Sequence, residues 1–220
     1  MYLTRVPLNP QRRGARRLLE SPARLHATVL GGFETLPASD VGRILWRLDR
    51  DDKHVLNLFV LSPDRPHYAN ITEEAGWGDQ SPWQTGDYTP FLDRLALGQE
   101  WAFRLVANPI RNARTPEGGR GKRVSVGSIY HQQDWLVSKS ERWGFRIPDG
   151  LSGAPNLQLS DRSTWSFPRH SDGASRTVTL ATVRFDGILQ VTDPNALRRT
   201  LTGGIGRAKA YGCGLLTLAR

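Results

Sequence analysis

From the N-terminus, the pattern of apolar and polar positions first predicts a strand over Tyr2–Val6, closed by Pro7. Asn9 is placed to cap a helix with Pro10 at its first position, running to about Glu20. Ser21-Pro22 interrupts it and restarts a helix over Ala23–Leu30, which Gly31-Gly32 ends. Arg43–Leu48 and His54–Leu61 read as strands joined by the polar loop Asp49–Lys53. Ser62–Thr89 is rich in Pro, Gly and Trp and has no clean period, and Phe91–Leu97 predicts a short helix. Glu100–Asn108 alternates: Trp101, Phe103 and Leu105 face one way, Ala102, Arg104 and Val106 the other.

The second half repeats this order. Arg123–Val126 predicts a strand and Ile129–Arg142 a helix, with Ile129, Trp135, Leu136 and Trp143 as core positions. Asn156–Phe167 and Thr177–Phe185 read as extended, and Asp186-Gly187 as a two-residue turn into Ile188–Val191. Asp193-Pro194 opens a helix through Leu201, Gly203–Gly214 is a glycine-rich loop, and Leu215–Leu218 is a last strand. Both halves read as β-α-β-β-α-β, so the expected fold is α+β: two tandem ferredoxin-like domains, over residues 1–110 and 111–220. The halves share no residue-level repeat.

Composition adds a partner. Hydrophobic residues are 38% of the 220 and charged residues 23%, as in a globular chain. The 30 Lys and Arg against 21 Asp and Glu leave a net charge of +9, which favours nucleic acid first and an anionic membrane surface second. No run approaches the ~18 apolar residues of a spanning helix. The most apolar stretch, Val55–Leu61, is interrupted by Asn57. Met1–Leu8 is brief and is followed by an arginine cluster, so no secretory leader is expected. The one cysteine, Cys213, allows neither an intramolecular disulfide nor a cysteine-based zinc site. These features predict a soluble cytoplasmic protein.

Four constellations carry candidate chemistry. In Gln11–Arg17, a helix stacks Arg12 over Arg16 and Arg13 over Arg17. Like charges so spaced cost ~0.2–0.5 kcal/mol per pair in an isolated helix, which a phosphate backbone would turn into attraction. Arg111–Arg123 carries Arg111, Arg114, Arg120, Lys122 and Arg123 among glycines, as either a phosphate-contacting loop or a solubilising one. In Gly203–Gly214, Gly204 and Gly206 would let backbone N–H groups approach an anion, beside Arg207 and Lys209. A glycine-rich turn is the bland alternative, and the spacing fits neither a P-loop nor a dinucleotide fingerprint. Phe167–Gly173, with Arg169 and His170, reads as a hairpin tip able to reach a phosphate or base edge.

The histidines are His26, His54, His67, His131 and His170. Only His26 directly follows the arginine helix; by spacing alone it is either catalytic or a satisfied core histidine four residues before Leu30. His-x-Glu-x-x-His, Gly-x-Ser-x-Gly and a two-metal acidic cluster are missing from the sequence. If the chain cuts RNA, the expected chemistry uses neither metal nor cofactor.

Together the pieces resemble the CasE-type endoribonucleases of type I-E CRISPR systems. The resemblance runs through Tyr2-Leu3-Thr4-Arg5, Leu8-Asn9-Pro10, the arginine helix, and Phe103-Arg104-Leu105-Val106-Ala107-Asn108-Pro109. It continues through Gly121-Lys122-Arg123-Val124 with Trp135-Leu136, Phe185-Asp186-Gly187 to Asp193-Pro194, Gly204-Ile205-Gly206, and Lys209 to Leu216. It implies tandem ferredoxin-like domains, with His26 at the position of the family's catalytic histidine. It implies binding of the CRISPR repeat hairpin in precursor RNA, cleavage at its 3′ base, retention of the mature crRNA, and assembly with other Cascade subunits rather than with a membrane. Arg169, His170, Arg207, Lys209 and the glycine-rich loop are implied RNA contacts. Some relatives carry a tyrosine three residues before the histidine; here that position is Ala23, and Arg24 or Lys209 are candidates for its role. The remaining readings are a non-catalytic crRNA-binding subunit, a purely structural subunit, and an RRM-like binder, against which the missing aromatic RNP1 run speaks.

Overall fold

A computed structural model gives the fold. It describes residues 1–37, 42–50, 56–78, 83–113, 122–171 and 174–219, the side chains of 122, 123, 168–171 and 174–176 excepted. Two compact units emerge, 1–95 with 201–215, and 96–200 with 216–220. Each is an antiparallel sheet with helices inserted in the ferredoxin-like order. Among the described residues no helix is long and apolar enough to cross a membrane.

In the first unit, β1 (Tyr2–Leu8) leads to α1 (Arg13–Leu19) and α2 (Pro22–Leu30). Then come β2 (Leu45–Arg50), β3 (Leu56–Ser62), α3 (Ala69–Ala75), β4 (Gln84–Asp87) and α4 (Thr89–Asp93). The sheet order is β2-β3-β1-β4. Alternation places Val6 and Leu8 of β1 and Leu56, Leu58 and Val60 of β3 in a core with Leu18, Leu25 and Val29 of the helices. β1 continues through Pro7 because β4 pairs with it only as far as Arg5. Beyond that point its one ladder partner is β3, a setting that accommodates proline.

Two local expectations change. Asn9 does not cap α1: its Oδ1 accepts the Gln11 N–H at 2.9 Å in a turn, and the helix opens at Arg13 with Arg12 as its first flanking residue. In the stretch without a period lie α3 and β4. α3 has seven residues, buried at Ile71, Thr72 and Ala75, which is too short for a period to show. β4 is a polar strand, mostly exposed. Pro22 and Gly31 bound α2 as expected.

In the second unit, β5 (Glu100–Ala107) precedes a separate hairpin of β6 (Ile110–Ala113) and β7 (Lys122–Ser125). There follow α5 (Ile129–Ser140), β8 (Phe145–Arg146), β9 (Leu157–Ser171), β10 (Ala174–Val191), α6 (Pro194–Gly203) and β11 (Leu216–Ala219). The order is β11-β5-β10-β8, with β9 also on β10. β5, expected as the last strand of the first domain, is therefore central to the second sheet.

Asp186-Gly187 does not turn. Both continue inside the eighteen-residue β10, which hairpins with β9 at Ser171–Ala174 instead. Asp186 accepts from Arg104 Nε at 2.6 Å and Arg184 Nε at 2.7 Å, anchoring β10 to β5. Gly187 is there for close approach: a Cβ would sit 2.3 Å from the Asn156 carbonyl oxygen.

Candidate active site

α2 runs from Pro22, with its φ preset for the first turn, to Leu30, with Gly31 as its C-cap. Leu25 and Val29 are buried on one face, which turns His26 to the margin of the core. The His26 ring is half-buried and nearly parallel to that of Trp46, 22° apart with centroids at 6.5 Å. The Trp46 indole N–H donates to His26 Nδ1 at 3.1 Å. Burial pulls the His26 pKa below its usual 6.5, because desolvation penalises the imidazolium.

The ring lines a cavity of about 380 Å³ with Leu30, Leu36, Arg43 and Lys209. Lys209 comes from the glycine-rich segment, which folds back on itself: the Ile205 N–H donates to the Gly214 carbonyl at 2.8 Å. Residues Lys209–Tyr211 form a single 3-10 turn closed by Gly212. Burial, and secondly the Arg43 guanidinium, hold the Lys209 ammonium below its usual pKa. No carboxylate lines the cavity among the described residues, so it collects cations about one histidine. Such a surface suits a phosphodiester.

The structure brings His26 and Lys209 together and adds Arg43, which sequence reasoning treats only as the start of a strand. Nothing local distinguishes Arg43 from other arginines. Arg24, the other candidate beside Ala23, is turned away: its guanidinium donates to the Arg17 carbonyl at 2.9 Å and the Glu20 carboxylate at 3.1 Å. Arg13, Arg16 and Arg17 are exposed around the buried Ala15 and Leu18, and Arg12 reaches the Gly76 carbonyl at 3.2 Å. Gly204 and Gly206 both have φ near +74°, and Gly204 packs on Leu45. Arg207 is exposed.

Other expected contacts belong to the second unit. Lys122 and Arg123 lie on β7, and Arg169 and His170 near the end of β9; their side chains lie outside the described ones. Arg114, Arg120 and His54 fall outside the described residues. Of the remaining histidines, His67 packs edge-on to Trp83, and His131 Nδ1 is 2.6 Å from the Ser128 hydroxyl in an N-terminal cap. No group of three or more His, Cys, Asp or Glu side chains is placed to hold a metal among the described residues.

Comparison with known proteins bears on this geometry. The family model for CRISPR associated protein matches residues 1–220. The CRISPR-associated endoribonuclease Cse3 of Thermus thermophilus is 33% identical, with all of both chains covered. The CRISPR system Cascade subunit CasE of Escherichia coli is 32% identical over 130 residues, 57% of this chain and 61% of that one. A solved structure of the CRISPR endoribonuclease Cse3 bound to a 19-nucleotide RNA superposes with a TM-score of 0.80 at 30% identity, both chains fully covered.

Proposed function

The chain belongs to the CRISPR-associated protein family, and we propose that it is the endoribonuclease that binds the CRISPR repeat hairpin in precursor RNA and cuts at its 3′ base. It keeps the mature crRNA and joins the other Cascade subunits, an assembly consistent with its likeness to a Cascade subunit and to an RNA-bound endoribonuclease. The observation that supports this best is the cavity in which Arg43 and Lys209 face one histidine. An RNA-processing role places it in the cytoplasm.

The RNA supplies the nucleophile. The 2′-hydroxyl oxygen beside the 3′ base of the hairpin attacks the adjacent phosphorus, its proton leaves, and the 5′-oxygen departs with a proton. The products are a 2′,3′-cyclic phosphate and a 5′-hydroxyl, and the scheme needs no metal. His26 is the acid–base group of this reading, an imidazole able to take up one proton and release another. Lys209 and Arg43 offset the extra negative charge on the five-coordinate phosphate. Lys209, rather than Arg24, takes the place of the tyrosine missing at Ala23, because Arg24 is held by Arg17 and Glu20.

For the RNA we assign the exposed arginines of α1 (Arg13, Arg16, Arg17) with Arg12, and Arg207 beside the turn of Gly204 and Gly206. Lys122, Arg123, Arg169 and His170 stay in the reading on the family resemblance. They meet an A-form stem whose deep groove is hard for side chains to read, so shape and phosphate contacts carry most of the recognition.

The test is cleavage of a repeat hairpin in EDTA by wild type and His26→Ala, with product ends identified. Wild type cuts and the variant does not. Cleavage of RNA with a 2′-deoxy scissile nucleotide would sink the mechanism, and tight binding by wild type without any cleavage would leave a crRNA-binding subunit.

A further inference from the structure

Trp46 occupies one ring nitrogen of His26 and thereby decides the state of the other. An indole N–H only donates, so the His26 Nδ1 that receives it at 3.1 Å carries a lone pair. A neutral imidazole has one N–H, which then belongs to Nε2. We propose that Trp46 is a positioning residue for cleavage, holding His26 in the tautomer whose proton sits on Nε2, the nitrogen available to RNA. This rests on the reading of His26 as catalytic.

Two observations make the bond hard to give up. Trp46 is 3% exposed, so water does not replace His26 as the acceptor of its N–H. A proton on Nδ1 would set two donors against each other and orphan the indole. Nor is the indole free to swing aside. Gly212, at φ 78°, lies against it so closely that a Cβ there would be 2.7 Å from its Cζ3. Gly212 also closes the 3-10 turn that begins with Lys209. One ring thus fixes the tautomer of His26 and the seat of Lys209.

The chemical consequence is directional. With its proton on Nε2, His26 offers RNA a hydrogen-bond donor, suited to a phosphate oxygen or the departing 5′-oxygen. Accepting the 2′-hydroxyl proton at Nε2 first requires the ring proton to move to Nδ1 and the Trp46 bond to break. Trp46 therefore biases the resting site towards hydrogen-bond donation at a phosphate oxygen. Outright transfer of the Nε2 proton to the 5′-oxygen would leave an imidazolate unless Nδ1 were protonated, so that transfer, like uptake of the 2′-hydroxyl proton, needs the Trp46 bond to break.

Among the described residues, the charged groups lining the cavity with His26 are Arg43, before β2, and Lys209, on the turn. On its own helix Arg24 is engaged elsewhere. The lowered pKa of His26 comes from burial. Replacing Trp46 by Phe removes the N–H while leaving both cations and most of the apolar ring.

The experiment uses the full chain with 15N-labelled histidine, His26 being assigned from the spectrum of His26→Gln. Long-range proton–nitrogen spectra at pH 7.5 are expected to show wild-type His26 protonated at Nε2. In Trp46→Phe the tautomers mix and the titration midpoint of His26 moves up. Single-turnover cleavage at saturating protein falls about tenfold or more, and the acid limb of its pH profile moves up with that midpoint.

A wild-type His26 protonated at Nδ1 overturns the proposal, and this spectrum decides even if the variant does not fold. So does a folded Trp46→Phe with unchanged tautomer and midpoint, or with a changed tautomer and the wild-type rate. Unimpaired cleavage by His26→Ala would instead remove the catalytic reading, leaving the spectra to judge the tautomer.

Discussion

Lys209 and Arg43 line one cavity from distant parts of the chain, and after burial it is the Arg43 guanidinium that keeps the Lys209 ammonium below its usual pKa. Two cations that line one cavity with no carboxylate beside them among the described residues repel each other until an anion arrives. A phosphodiester resolves that repulsion, which is why the pair reads as a substrate feature rather than a packing one.

Removing Lys209 tests this. Lys209→Ala is expected to lower single-turnover cleavage about 100- to 1000-fold, the range for one electrostatic donor at a developing charge. Lys209→Arg restores part of it. Because Lys209 titrates below the usual 10.5, wild-type activity falls as pH rises through that lowered value. In Lys209→Arg the alkaline fall moves to higher pH. A wild-type rate in Lys209→Ala would show that the ammonium is dispensable.

His26 makes a stability prediction with a definite sign. Its folded pKa is lowered, so above pH 6.5 the ring is neutral folded and unfolded and contributes nothing. As pH falls below 6.5 the unfolded chain takes up a proton that the folded ring resists, and stability is lost. Urea midpoints of wild type and His26→Ala should therefore diverge between pH 7.5 and pH 5.5, wild type losing more. Parallel midpoints would mean that the ring is not desolvated.

The arginines of α1 should act on binding, not on chemistry. Arg16→Ala with Arg17→Ala is expected to weaken hairpin binding and to reduce the salt slope by about one for each phosphate no longer neutralised. The cleavage rate at saturating protein stays unchanged. Binding titrations at several salt concentrations check it; an unchanged slope would make these side chains a solvated face.

Gly212→Ala is expected to destabilise the protein by about 1–3 kcal/mol, from the positive φ and the overpacking against Trp46. Urea unfolding measures it. Cleavage should fall as well, since the same displacement moves the turn that carries Lys209.

Legibility followed the range of the forces involved. α2 was readable because Pro22 and Gly31 act on their own backbone, and β5 because alternation of Phe103, Leu105 and Ala107 reports burial of one face. Asn9 misled because an Asx turn and a helix cap use the same side-chain acceptor, and the Gln11 N–H took it first. Asp186-Gly187 misled for a different reason. The pair has turn chemistry, but Arg104 on a neighbouring strand claims the carboxylate and the Asn156 backbone claims the space beside the glycine.

By itself the sequence determined the α+β order of elements, the basic character that calls for an anionic partner, and the family to which His26 owes its candidacy. Hydrogen-bond caps, side-chain periodicity and net charge are properties of short stretches or of the whole composition, so they survive without coordinates. Only the tertiary structure decided that Arg43 and Lys209 share a cavity with His26, that the Arg24 guanidinium is engaged by Arg17 and Glu20, and that the Trp46 indole N–H donates to His26 Nδ1. These depend on packing between elements far apart in the chain, where contact is fixed by the summed burial of the core and not by any local pattern.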